Sequence, residues 1–357
     1  MKKIVLLVAL AATTSLLAQD KPAESKLDEK SEKLIRQSVP VCPGMKVTRA
    51  DTQVKLPARF TGSVIRIEAP RTACNAQYLL VFAPSGDYFV GLPWFLGDDV
   101  PGKTYNEKLK NFAWTNMQEN FNPVIDPVRT RNGLLKVTMW EMTERGKVPL
   151  EGELDPDGKV LFVGHFHPAT ADLAAERLKS LDPFLATAPT KGAAKPDVTI
   201  IEFSDFECPS CKHASGYVDA AMEKFPNQIR YVRFDLPLVS MHPWALSAAM
   251  YGRAIYRQKP DAFWDYKKQI YANQDKMNAF TLDDFARGFA QDHELDMKQY
   301  EADLESEVMR DDLLKGVGAA FSNDVRATPT YMVNGVYVDP GDDGKALEDY
   351  VSGLLKK

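Results

Sequence analysis

The spacing of hydrophobic positions changes several times along this chain. Ile4 to about Ala18 is an apolar run behind Lys2 and Lys3. It is short for a membrane span, which needs about 20 apolar residues. A basic start, an apolar middle and small Ala18 predict a cleaved export leader over 1–18. Residues 19–38 are mostly charged and predict an exposed lead segment. Short alternating runs follow, such as Ser63–Ile67 and Lys136–Trp140, which predict half-buried strands. Asp155-Pro156-Asp157-Gly158 predicts a turn between two of them. A helix-compatible stretch from Tyr105 to about Asn120 interrupts this pattern. Together these features predict a smaller α+β domain over 39–180. Trp94, Trp114 and Trp140 are expected in its core. His165 and His167 would share one face of a strand, as surface or packing residues.

Residues 181–197 carry Pro183, Pro189 and Pro196 with several alanines, and predict a linker. The rhythm then changes. Val198–Phe203 is a nearly continuous apolar run rich in β-branched residues, as in a strand buried on both faces. Ala214, Tyr217, Val218, Ala221, Met222 and Phe225 fall at helical spacing, so a helix is expected from Pro209. A second strand follows over Ile229–Phe234. Strand, helix and strand imply parallel pairing with a right-handed crossover. About 240–322 reads as helical, with starts near Pro243-Trp244, Asp261, Thr281 and Asp296, the last helix running to about Phe321. Asn334-Gly335 between Thr330–Val333 and Val336–Val338 predicts a hairpin. A short helix closes the chain from about Asp343. The fold class expected for 198–357 is therefore α/β.

Composition adds boundaries. Apolar residues make up 45%, which is ordinary for a protein with real cores. The net charge of −5 argues against nucleic acid as the main partner. Export would place the chain in the periplasm or outside the cell, where disulfides persist. The four cysteines, Cys42, Cys74, Cys208 and Cys211, allow two pairs. Cys42 and Cys74 are expected to form a structural disulfide worth about 3–4 kcal/mol.

Cys208-Pro209-Ser210-Cys211 carries the chemistry. Cys208 stands where a buried strand gives way to a helix. Unpaired N–H groups there favour a thiolate. Pro209 suits the first helical turn, which needs no N–H. Cys211 would be shielded one turn inward. A zinc site would need more ligands than this segment offers, so no metal is expected. Glu202 is a carboxylate in an apolar strand, which is costly to bury.

Glu202-Phe203, Cys208–Cys211 and Ala327-Thr328-Pro329-Thr330 together resemble the DsbA-like branch of the thioredoxin superfamily, over about 198–355. The resemblance implies a thioredoxin-like fold with a helical insertion. It implies a cis Pro329 against the active-site sulfurs, with Thr328, Pro209 and Ser210 meeting substrate. Glu202, beneath the disulfide, would exchange a proton with Cys211. The implied function is disulfide exchange with exported, thiol-bearing proteins, as a dithiol oxidase renewed by a membrane redox partner. No cofactor beyond the Cys208–Cys211 disulfide is implied. The alternatives are a DsbC-like isomerase or reductase dimerising through the N-terminal domain, and a ligand-binding protein using the fold as scaffold. Ser210 departs from the family's strongest oxidants, which carry histidine there. Asp205 and Glu207 oppose a thiolate at Cys208, whereas Lys212 and His213 favour it. His242-Pro243-Trp244 fits either a substrate groove or a helix start.

Overall fold

The computed structural model describes residues 24–50, 54–118, 120–142 and 147–356. The expected leader and the first residues of the lead segment lie outside these. The chain divides into two compact units, with Pro43–Asp172 as the body of the first and Leu173–Ala320 plus Val325–Lys357 as the body of the second.

In the first unit β1 (Glu24–Ser25) is followed by α1 (Glu29–Ser38), capped by the Asp28 carboxylate. Then come β2 (Lys46–Ala50), β3 (Thr61–Glu68), β4 (Ala76–Phe82), β5 (Tyr88–Gly91) and β6 (Trp94–Phe95). Helix α2 (Tyr105–Met117) starts at a reciprocal cap between Thr104 and Glu107 and ends at left-handed Gln118. β7 (Phe121–Arg129), β8 (Leu135–Met142), β9 (Lys147–Leu154) and β10 (Val160–Val163) complete it. These strands form two antiparallel five-stranded sheets, ordered β1-β2-β3-β4-β5 and β6-β10-β9-β8-β7. Phe60, Phe89, Phe162 and Phe166 pack tightly between them, with centroids 4.9–5.7 Å apart. Trp114 departs from expectation, being 63% exposed. Leu109 and Ala113 make the buried stripe of α2, and Trp114 lies off it. His165 pairs with Glu151 at 3.0 Å, and its pKa rises to about 9 chiefly through that hydrogen bond.

The second unit begins earlier than the predicted linker would allow. Helix α3 (Leu173–Leu185) belongs to it and contains Pro183. Residues 190–192 form strand β11 (Thr190–Gly192), paired antiparallel with residues 230–232. The prolines mislead because an edge strand tolerates them at its start. Pro189 is used through its carbonyl, which accepts from Arg233 N at 2.8 Å.

β12 (Val198–Ser204) and β13 (Ile229–Asp235) pair in parallel, and β14 (Thr330–Val333) and β15 (Val336–Val338) add antiparallel, giving the order β11-β13-β12-β14-β15. The crossover from β12 to β13 is not one helix. It splits into α4 (Pro209–His213) and α5 (Asp219–Lys224), although Ala214, Val218 and Ala221 all reach the same core. Between β13 and β14 lie α6 (Ala245–Gln258), α7 (Pro260–Ala272), α8 (Thr281–Asp292), α9 (Met297–Glu305) and α10 (Glu307–Ser322). The stretch expected as one helix from Asp296 breaks at Ser306, which has extended backbone. Asn334 and Gly335, both at positive φ, turn the β14–β15 hairpin. Helix α11 (Lys345–Leu355) closes the chain. The unit has the thioredoxin-like α/β architecture with a helical insertion that the sequence resemblance implied. The insertion builds its own core, and Phe206, Cys208, Cys211 and Trp244 belong to it.

Candidate functional site

The end of β12 delivers the site. Cys208 is the N-cap of α4, with Pro209 in the first turn. Asp205 O accepts from Cys208 N at 3.3 Å, and Cys208 O accepts from Cys211 N at 3.1 Å. Both sulfurs are free thiols. Cys208 retains 7% exposure and Cys211 none. Pro209 and Ser210 are exposed beside them. Across the sulfur lies the turn before β14, where the Thr328–Pro329 bond is cis. The Thr328 carbonyl accepts from Cys208 Sγ at 3.4 Å. Thr328 and Pro329 are both half-buried.

The two thiols titrate in opposite directions. Cys208 is pulled down to about 5, first by a hydrogen bond from Cys211 and also by the Cys211 backbone N–H, against burial and the charge of Asp205. Cys211 is pushed well above its usual range by burial and by the Cys208 charge. The first-turn N–H groups expected from the sequence act through the Cys211 amide, but the side-chain donor of Cys211 contributes most. With α4 only five residues long, the neighbouring donors do most of the work.

Glu202 lies beneath, 1% exposed, on β12. Its Oε2 accepts from the Tyr231 hydroxyl and lies 3.5 Å from Lys267 Nζ. Lys267 also donates to Tyr231 Oη at 2.8 Å and Ser215 O at 3.2 Å. Burial drives the Lys267 pKa down, while Glu202 resists that fall. Glu202 charge in turn raises Cys211. Glu202 Oε1 has no hydrogen-bond partner among the described residues.

Several residues of this site were not legible from spacing. Lys267 comes from α7, 65 residues from Glu202. Gln274 follows α7 and donates to the carbonyls of Phe206 and Cys208 at 2.9 and 3.1 Å. Arg233 is fully buried and stacks 3.7 Å from the Phe206 ring while pairing with Asp235. His242 holds Asp205 at 2.7 Å, and Trp244 N donates to Glu207 Oε2 at 2.7 Å. Burial raises Glu207 to about 7. Lys212 is engaged with Asp275 at 2.7 Å, and His213 packs on Tyr217. Cys42 and Cys74 are disulfide-bonded.

This arrangement sets one near-surface and one buried thiol of a single C-x-x-C against a cis proline on a thioredoxin-like α/β fold. Residues 186–352 match the family model described as thioredoxin. More particular likenesses follow. The probable disulfide bond formation protein D of Bacillus cereus is 27% identical over 180 residues, covering 48% of this chain and 81% of that protein. The Na(+)/H(+) antiporter NhaA 3 of Salinispora tropica is 32% identical over 145 residues, covering 41% of this chain. The match spans only 21% of that antiporter's length. Among solved structures, oxidised BdbD from Bacillus subtilis aligns with a TM-score of 0.44 at 20% identity, over 48% of this chain and 95% of that one.

Proposed function

We propose that the protein is an exported dithiol oxidase, donating the Cys208–Cys211 disulfide to thiol-bearing proteins. One observation carries this reading: a thiolate-prone sulfur with residual exposure faces the cis Thr328–Pro329 turn, and its partner thiol is fully buried behind it. In the exchange, a substrate thiolate attacks Cys208 Sγ. The Cys208–Cys211 bond breaks, and Cys211 leaves with the electron pair and takes up a proton. A second substrate thiolate then attacks the substrate sulfur of the mixed disulfide and releases Cys208 as a thiolate. The substrate loses two electrons and the protein gains them. A membrane redox partner accepting two electrons resets the pair.

Several features support the direction. A low pKa at Cys208 stabilises the reduced form relative to the disulfide, which favours giving the disulfide away. Glu202, whose charge bears on Cys211, would take the proton that Cys211 releases when the pair is reoxidised. Exposed Pro209 and Ser210, with half-buried Thr328 and Pro329, line the surface around Cys208 that a substrate chain would meet. Cys42–Cys74 serves the fold and not the exchange.

The test uses the full chain and a reduced, unfolded protein with known disulfides. Wild type should oxidise it at stoichiometric amounts and be recovered with two thiols at Cys208 and Cys211. Cys208→Ser should abolish this. Cys211→Ser should accumulate a mixed disulfide through Cys208. Unimpaired oxidation by Cys208→Ser would overturn the reading in favour of a scaffold role. Thiol trapping in cells that shows the pair mainly reduced would overturn the oxidase direction in favour of an isomerase or reductase.

A further inference from the structure

Asp205 poses a problem for the chemistry just described. It is 1% exposed, three residues before Cys208, and its charge opposes the thiolate. Burying a carboxylate beside a second developing anion is costly unless a cation compensates. The donors to Asp205 are specific. Oδ1 accepts from Glu207 N at 2.7 Å. Oδ2 accepts from Leu238 N at 2.9 Å and is 2.7 Å from His242 Nδ1. The two backbone amides are neutral. Among these contacts of Asp205, one group is able to carry positive charge, and it comes from the start of the helical insertion. The His242 side chain is only 15% exposed, so solvent does little to screen it.

Building on the oxidase reading, we propose that His242 is a positioning residue that sets the ionisation of Cys208 from outside the C-x-x-C segment, by neutralising Asp205 as an imidazolium. With His242 protonated, the Asp205 pair contributes no net charge near the sulfur. With a neutral side chain in its place, a buried negative charge faces the thiolate and the proton returns to Cys208. The groups facing His242 are consistent with this role. Burial opposes its charge, but Asp205, the Cys208 charge and Glu207 together lift its pKa above the usual value. The coupling is reciprocal: whatever His242 does for the thiolate, the thiolate does for the imidazolium. Forming the disulfide removes the Cys208 charge. The pKa of His242 must then fall, so the pair and the histidine report on each other.

Two measurements on the full chain test this. In the first, the thiolate of Cys208 is titrated by ultraviolet absorbance in wild type and in His242→Asn, which keeps a neutral donor for Asp205. The variant should titrate about one pH unit higher, a tenfold loss of thiolate at pH values well below the wild-type pKa. The second needs no variant. The five histidines of the chain are followed by NMR in the reduced and disulfide forms. His242, assigned directly or by elimination with the other four, should titrate at higher pH in the reduced form. An unchanged Cys208 titration in a folded His242→Asn chain, even one of lowered stability, overturns the proposal. So does a His242 pKa that is the same in both redox forms. Loss of the oxidase reading looks different: there wild-type Cys208 itself fails to show a depressed pKa or fails to exchange.

Discussion

Replacing Cys211 by alanine and by serine separates the causes of Cys208 reactivity. The Cys208 pKa falls from 9.0 to about 5. At about 1.4 kcal/mol per unit this is a preference for the thiolate of about 5 kcal/mol. The largest contribution is the hydrogen bond from Cys211, with the Cys211 amide assisting. A hydrogen bond to a charged group contributes about 1.5–3 kcal/mol, or about 1–2 pH units. Cys211→Ala keeps the amide and deletes the side-chain donor. Cys208 should then titrate near 6–7, and its thiolate fraction at about pH 6 should drop about two- to tenfold. Cys211→Ser restores an O–H donor and should stay within about one unit of wild type. The assay is the ultraviolet absorbance of the thiolate against pH. It is clean, because Cys42 and Cys74 are bonded and Cys208 is the remaining thiol in both variants. If Cys211→Ala titrates with wild type, the side-chain donor is irrelevant and the start of α4 alone must hold the charge. If both variants rise equally, the hydrogen-bond argument fails in another way.

Other consequences follow from the same electrostatics. The depressed Cys208 pKa makes reduced-chain stability lower at low pH; it should rise as pH climbs through about 5 and level off above the unfolded value near 9.0, while the disulfide form lacks that slope, as urea unfolding at several pH values would show. Lys267→Met leaves Glu202 buried with Tyr231 alone, and should cost about 3 kcal/mol at neutral pH in urea unfolding. Adding Glu202→Gln should return most of that loss, and a double variant no better than Lys267→Met would refute the pairing. His165 is raised to about 9, so its contribution is complete below 6.5 and fades as pH rises through about 9. The melting-temperature gap between wild type and His165→Asn should therefore shrink in alkali, and a constant gap would count against the Glu151 pairing.

The sequence carried the second unit well because its signals are local. A β-branched run, a proline after the first cysteine and Asn334-Gly335 each fix backbone within a few residues. The boundary at 173 was missed because Pro183, Pro189 and Pro196 suggest a linker. Their local roles, inside a helix and beside an edge strand, depend on partners elsewhere in the unit. The broken helix after Cys211 was missed for a related reason. Ala214, Val218 and Ala221 keep helical spacing and reach one core even though residues 214–218 form turns between the two short helices. At the site, Cys208, Cys211, Glu202 and Pro329 were readable because motif positions name them. Lys267, Gln274 and His242 were not, since each meets the motif through contacts more than 30 residues away in sequence. A lone histidine before Pro243-Trp244 carries no signal of the aspartate it serves.

These distant partners share an origin, which explains why the fold bears so large an insertion. Several of the buried polar groups that the end of β12 brings to the cysteines gain a partner from the insertion. Lys267 meets Glu202, and the Tyr271 hydroxyl bridges Ser204 Oγ and the Asp205 carbonyl at 3.0 and 3.3 Å. Gln274 takes the carbonyls of Phe206 and Cys208. His242 takes the Asp205 carboxylate, and the amide of Trp244 takes Glu207. A buried polar group without a partner costs about 1–3 kcal/mol, and charged groups cost more. The strand therefore could not carry this set of acids and open carbonyls on a bare thioredoxin core. The insertion permits acidic groups to stand next to a sulfur that must ionise. It does so by meeting each with a donor placed on a rigid helix or its flanking turn, which also fixes where the charge can move when the sulfur changes state.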